Sequence, residues 1–210
     1  MAKIVGIIDY GMGNLFSVHK SISIMGYSPM ICSTPSDIEN TDVVILPGVG
    51  HFAAGMKHLK LSGLDKAIID YANNQRKPLI GICLGMQLMT EFSEEGNVEG
   101  LGLIKAQTKK FMINTGSAYR IPHMGWNSLR NSTRNPKLSW VEDLRSEFYF
   151  VHSYYVECES KSNILFETEY GIRFASGIFK DNIAGVQFHP EKSHSHGLRL
   201  LKHLIEMSDV

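Results

Sequence analysis

The sequence predicts an α/β fold: a mostly parallel open sheet with helices on both faces, extended by antiparallel strands. Three observations carry this expectation. Residues 3–8, 42–46, 78–82 and 183–188 are apolar nearly throughout rather than alternating, as strands covered on both faces must be. Helical patterns separate the first three of these runs, which is the rhythm of parallel strands joined by crossovers. Beyond Gly102 the segments shorten and read as hairpins, which places antiparallel strands at the side of the sheet.

Taken in order, residues 3–8 are the first strand, and Asp9-Tyr10-Gly11-Met12-Gly13-Asn14 turns into a helix over 15–25 that Gly26 stops. Phe16, Ile22 and Ile24 are its expected core face. Gly11 and Gly13 begin a dinucleotide fingerprint, but Phe16 stands where the third glycine belongs, so that reading is rejected. Strands at 28–32 and 42–46 follow, the latter running into Pro47-Gly48-Val49-Gly50. Helices are expected over 55–60 and 64–73, a strand over 78–82, and a helix over 84–92. The later strands are expected at 103–106, 109–113, 147–158, 164–168 and 174–179, with a turn at Lys180-Asp181-Asn182. An amphipathic helix over 196–205 closes the chain. Without a linker in its 210 residues, the expectation is a single domain over 1–210.

Gly81-Ile82-Cys83-Leu84-Gly85 ends an apolar strand and enters a helix, the form of a nucleophile elbow. A nucleophile on so sharp a turn needs small residues two before and two after it, because backbones pass there. The free N–H groups of the helix start favour a thiolate at Cys83. A cysteine in an apolar strand is otherwise a small core residue, so the second signal matters: Ile183-Ala184-Gly185-Val186-Gln187-Phe188-His189-Pro190-Glu191 delivers a histidine and a carboxylate two residues apart. Nucleophile, base and orienting group are then all present as Cys83, His189 and Glu191. In a parallel sheet ligands bind at the carboxyl ends of strands, and Pro47-Gly48-Val49-Gly50 lies at such an end. Its backbone, with the N–H of Leu84, can hold a developing oxyanion.

Composition excludes other classes. Lys+Arg 21 balances Asp+Glu 21, so no basic field points to nucleic acid or an anionic membrane. Hydrophobic residues at 43% and charged residues at 20% fit a globular chain rather than a disordered one. The apolar run after Met1 breaks at Asp9, too early for a signal segment or a membrane span. Cys32, Cys83 and Cys158 are an odd set without metal spacing, so neither a disulfide framework nor zinc is expected, and the compartment is expected to be the cytoplasm. His194, His196 and His203 lack the acidic or thiol complement of a metal site. Aromatic segments around Trp126 and Tyr149 suit either core or a partner surface.

With Gly48-Val49-Gly50, the Cys83 elbow and Phe188-His189-Pro190-Glu191 in this order, the chain resembles the triad-type, class I glutamine amidotransferases, whose fold is flavodoxin-like. The resemblance implies that Cys83 attacks the side-chain amide of glutamine, that Val49, Gly50 and Leu84 hold the oxyanion, and that His189, oriented by Glu191, moves the protons. It implies substrate contacts from Gly50, Gln87, Glu95, Ser153 and Tyr154, and no metal or organic cofactor. Asp9-Tyr10-Gly11-Met12-Gly13-Asn14, Pro122-His123-Met124-Gly125-Trp126-Asn127 and His189-Pro190-Glu191-Lys192-Ser193 are similar to a narrower branch. There the glutaminase forms a heterodimer with a (β/α)8 barrel cyclase and passes it ammonia. The cyclase makes imidazole glycerol phosphate and AICAR from PRFAR in histidine biosynthesis. Trp126, Tyr149 and Lys192 are then expected at the partner interface, and the Gly48-Val49-Gly50 peptides can rest with an N–H turned away until the partner docks. The alternatives are a paralogue supplying ammonia for amidation of a surface-polysaccharide sugar, a cysteine hydrolase or peptidase, and an inactive binding module on the same fold.

Overall fold

The structure is a computed structural model that describes residues 2–112, 119–132 and 146–207. The first half runs β1 (Ile4–Ile8), α1 (Leu15–Ile24), β2 (Ser28–Cys32), α2 (Pro35–Glu39), β3 (Val43–Gly48), α3 (Phe52–Ser62), α4 (Leu64–Asn73), β4 (Leu79–Cys83) and α5 (Leu84–Leu88). Short strands follow: β5 (Phe92–Ser93), β6 (Val98–Glu99), β7 (Ala106–Lys110), β8 (His123–Ser128) and β9 (Arg130–Asn131). The chain continues through β10 (Glu147–His152), β11 (Tyr154–Cys158), β12 (Ile164–Tyr170), β13 (Ile172–Lys180), β14 (Ile183–Val186) and α6 (His194–Glu206).

The expected parallel centre is present as β2-β1-β3-β4-β14, every adjacent pair parallel. Antiparallel β13, β11 and β7 extend it, with β5 and β6 beyond and β12 and β9 on a side branch. Successive side chains of a strand point to opposite faces, and β3 shows why its run had to be apolar throughout. Val44 and Leu46 join the cluster under α2, α3 and α4, whereas Val43 and Ile45 join the cluster under α1 and α6. Both faces are thus covered by helices.

Several details depart from expectation. In α1 the buried residues are Val18, Ser21 and Ile22, while Phe16 and Ile24 are 78% and 62% exposed. At 3.6 residues per turn, Phe16 and Ile24 stand roughly 240° and 200° round the helix from Ile22, so the three never shared a face. The α5 helix stops at Leu88 instead of continuing to residue 92, because its last carbonyls are taken from outside: Leu101 N–H donates to Leu88 at 2.8 Å, and the N–H groups of Leu103 and Ile104 donate to Met89 at 3.0 and 3.1 Å. The same bonds keep 103–104 out of the sheet, so β7 begins only at Ala106; Ile113, expected to end a strand here, lies outside the described residues. The single strand expected over 147–158 divides at Ser153. β10 pairs with β8 in a separate two-stranded sheet, and β11 pairs with β7 and β13 in the main sheet. α2 was not expected at all, although Pro35 at its first turn and Asp37 Oδ2 accepting from the Thr34 N–H at 2.8 Å are ordinary helix-start chemistry.

Candidate active site

Cys83 is the last residue of β4 and adopts φ 54°, ψ −110°, a left-handed backbone that costs a non-glycine residue about 1–3 kcal/mol. The turn closes because the flanking residues lack side chains. A Cβ on Gly81 would meet the Met86 backbone N at 2.7 Å, and one on Gly85 would land on the Leu46 carbonyl. The expected elbow is therefore formed, and the thiol stands at the carboxyl end of the sheet, where Gly48 pairs with Cys83 across β3 and β4.

His189 and Glu191 follow the neighbouring strand β14. A single turn of 3-10 helix, Pro190–Lys192, folds the carboxylate back beneath the ring, so that two residues close in sequence meet: His189 Nδ1 lies 2.8 Å from Glu191 Oε1, both side chains at most 2% exposed. The turn is fixed by Ser193, whose hydroxyl donates to the His189 carbonyl at 2.7 Å and accepts from the Tyr149 N–H at 3.0 Å. Among the described residues His189 Nε2 and Glu191 Oε2 are buried without a hydrogen-bond partner. Burial draws the His189 imidazole down, but the charge of Cys83 and the Glu191 carboxylate outweigh it and raise the ring to about 10. The charges of Cys83 and Glu191 thus both act on His189.

In front of Cys83 lies a cleft of about 300 Å³, at the lower end of small-ligand sites. Val49, Gly50, Leu84, Gln87, Glu95, Ser153 and Tyr154, all expected at the site, line it together with Cys83. Glu95 also has a structural duty, since its Oε2 accepts the Phe52 N–H at 2.8 Å at the start of α3. Gln87 donates from Nε2 to the Tyr154 carbonyl and to Gln187 Oε1, each at 3.0 Å. Pro122, Val151 and His152 complete the lining and were not expected to. Gln187 was missed as well: it is fully buried and its Nε2 lies 3.7 Å from Cys83 Sγ. The signal was available, as an amide inside an otherwise apolar run needs a polar partner.

Behind the cleft His123 and His152 form a buried pair, Nδ1 to Nε2 at 2.9 Å. Burial pushes His123 down to about 4 and His152 to about 3, so both stay neutral. Trp126, Tyr149 and Lys192 gather beside the site. Trp126 and Tyr149 are directly opposed on β8 and β10 with ring centroids 5.9 Å apart, and Lys192 Nζ stands 5.8 Å from the Tyr149 ring centre. His194 stacks on Trp126. Among the described residues no three His, Cys, Asp or Glu side chains gather to hold a metal, and no helix is long and apolar enough to cross a membrane.

The family model described as glutamine amidotransferase class-I matches residues 6–207. The protein of Methanococcus maripaludis named imidazole glycerol phosphate synthase subunit HisH 2 is 48% identical over 204 residues, covering 97% of this chain and 100% of that one. The subunit HisH 2 of Pseudomonas aeruginosa is 40% identical, with 96% and 98% covered. The subunit HisH of Bacillus velezensis is 42% identical, with 97% and 96% covered. Among solved structures, PurLQS from Thermotoga maritima superposes with a TM-score of 0.74 at 16% identity over 98% of this chain and 99% of that chain. A crystal structure of a glutamine amidotransferase gives 0.72 at 16% with the same coverage.

Proposed function

The chain belongs to the class I glutamine amidotransferases, and on that premise we infer that it is the glutaminase subunit of an imidazole glycerol phosphate synthase of histidine biosynthesis, acting as one unit over residues 1–210. The observation that carries the chemistry is the 2.8 Å contact of His189 with Glu191 beside the strained Cys83 elbow.

His189 Nε2 holds the proton drawn from Cys83, and the Cys83 thiolate attacks the side-chain carbonyl carbon of glutamine. The carbonyl oxygen becomes an oxyanion, held by the N–H groups of Leu84 and of the Val49-Gly50 segment. The tetrahedral adduct collapses: the C–N bond breaks, His189 returns the proton to the leaving nitrogen, and ammonia departs from a thioester. Water, deprotonated by His189, attacks the thioester; glutamate leaves and the proton returns to sulfur. Glu191 keeps Nδ1 protonated and stabilises the imidazolium in both halves. Glu95 supplies a carboxylate for the substrate ammonium, and Gln87 with the Ser153-Tyr154 backbone frames the rest of the amino acid.

Ammonia then passes to a partner subunit, a (β/α)8 barrel cyclase docked over Trp126, Tyr149 and Lys192 in the cytoplasm. A second reading keeps the glutaminase and changes the acceptor to a sugar, since the glutamine-hydrolysing chemistry of this site is the same whichever acceptor takes the ammonia. Glutamate release from glutamine, measured for the chain alone and with the barrel cyclase of the same organism plus PRFAR, tests both. A large rise with imidazole glycerol phosphate formed is expected, and it is lost in Cys83→Ala. Activity retained in Cys83→Ala overturns the triad, and no rise with that cyclase favours the sugar acceptor.

A further inference from the structure

The amide of Gln187 faces the sulfur of Cys83, and the surrounding hydrogen bonds dictate which end of the amide does so. A backbone carbonyl only accepts. The Gln87 atom 3.0 Å from the Tyr154 carbonyl is therefore its NH2 group. The second N–H of that group points at Gln187, so the Gln187 atom 3.0 Å away is the carbonyl oxygen. What remains for the sulfur, at 3.7 Å, is the NH2 of Gln187.

The anchor of this chain is fixed from the other side too. Asn127 Nδ2 donates to the Glu169 carbonyl at 3.1 Å and, at 3.3 Å, to His123 Nε2. His123 thus carries its proton on Nδ1 and donates to His152 Nε2. His152 carries its own on Nδ1 and donates to the Tyr154 carbonyl at 2.8 Å. Both lone pairs of that carbonyl are occupied, and no amide in the chain can turn over without leaving a buried group unsatisfied.

We propose that Gln187 is a catalytic residue whose amide N–H donates to the Cys83 sulfur, holds it for attack and favours the thiolate over the thiol. A thiolate is a far better acceptor than a thiol, so the donor stabilises the charged form more. In the neutral form the S–H has the Val151 carbonyl as its acceptor at 3.8 Å, so the thiol and the thiolate each have a partner. The inference rests on Cys83 being the nucleophile of the proposed reaction, yet its first test needs no glutamine.

Iodoacetamide alkylation across pH, followed on the Cys83 peptide by mass spectrometry so that Cys32 and Cys158 do not contribute, reads the thiolate directly. Gln187→Met keeps the volume and removes the donor; the alkylation midpoint is expected to move up by about one pH unit, with kcat for glutamine hydrolysis falling about tenfold or more and KM little changed. Gln187→Glu faces the sulfur with a carboxylate and is expected to move the midpoint further. Folded variants whose midpoint and kcat match the parent chain overturn the proposal. In the unsubstituted chain, the 15N side-chain amide signal of Gln187 is expected to titrate with the Cys83 alkylation midpoint, and an unmoved signal overturns the proposal even where both variants fail to fold. If the midpoint moves but the parent chain never hydrolyses glutamine, Gln187 keeps its part and the glutaminase reading fails.

Discussion

A histidine as deeply buried as His189 is ordinarily neutral, and the cause of its reversal is local. Burial draws the ring down, while the neighbouring Cys83 charge and the Glu191 carboxylate at 2.8 Å lift it to about 10. In Glu191→Gln one of the lifting groups is gone and the tautomer is no longer fixed. The imidazole is expected to titrate lower in a 15N-histidine NMR series, and kcat to fall on the order of 10²-fold or more; an unchanged titration and rate would remove Glu191 from the mechanism. His123 and His152 are shifted the other way, to about 4 and about 3, and the sign for stability follows. Their contribution is whole above about 6.5, the unfolded value, and is lost as pH falls below it, because the unfolded chain binds protons that the folded one refuses. His189, raised instead, contributes fully below about 6.5 and loses that contribution as pH climbs toward 10. The unfolding free energy from urea titrations should therefore peak near neutrality and fall on the acid side by up to about 2.7 kcal/mol per pH unit for the two withheld protons. Equal stability at pH 7.5 and 5 would contradict the buried neutral pair.

At the scale of elements, the elbow between β4 and α5 is a steric device before it is a chemical one. A methyl on Gly85 collides with the Leu46 carbonyl, whereas one on Gly102 meets nothing within 4 Å and only strains a φ of 65°. Gly102→Ala is expected to cost about 1 kcal/mol; Gly85→Ala, which must push β3 and α5 apart, about 3 kcal/mol or more. Comparable urea midpoints for the two would mean that the elbow closes some other way. This collision was readable beforehand, because glycines at both second neighbours of a cysteine mark a turn where backbones pass too closely for a side chain. The parallel centre was readable for a similar reason: a run such as Val43-Val44-Ile45-Leu46 buries both faces whatever its partners are. The end of α5 and the division of the strand at Ser153 were not, because groups distant in sequence settle them: the Leu101 and Ile104 amides, and the separate partners β8 and β7. The α1 face was within reach, since Phe16, Ile22 and Ile24 cannot share a face at 3.6 residues per turn. At the site, the glycine and triad positions could be read because their chemistry fixes their spacing. Gln187 left one trace, an amide inside an apolar run that needs a polar partner; the His123–His152 pair left none, since hydrogen bonds between strands leave no pattern along one strand.

For the whole molecule, the arrangement of the two sheets offers a reason for activity to depend on a partner. Two groups on different elements act on the sulfur: the Val151 carbonyl of β10, which accepts the S–H at 3.8 Å, and the His189 ring that follows β14, whose Nε2 has no hydrogen-bond partner among the described residues and whose charge pairs with that of Cys83. Only the second leads to chemistry. β10 belongs to the small sheet with β8, outside the main sheet, and the same two strands present Trp126 and Tyr149, while Lys192 beside them directly follows Glu191. On the proposed interface, a subunit seated on that patch would touch β10, whose Val151 carbonyl contacts the thiol, and would also reach the turn that carries His189 and Glu191. Docking shifts the balance toward the productive pair only by as much as the partner binds that state better. A hundredfold rise in glutaminase rate needs about 2.7 kcal/mol of such preference, which a few aromatic contacts can supply. The expected outcome is slow glutamate release by the isolated chain and a rise of about a hundredfold with cyclase and PRFAR. On the proposed interface, Trp126→Ala should raise the cyclase concentration for half-activation about tenfold, the effect of losing an aromatic anchor. An isolated chain as fast as the complex would show that the thiol already finds His189 unaided, and the hold of Val151 on the sulfur would carry no control.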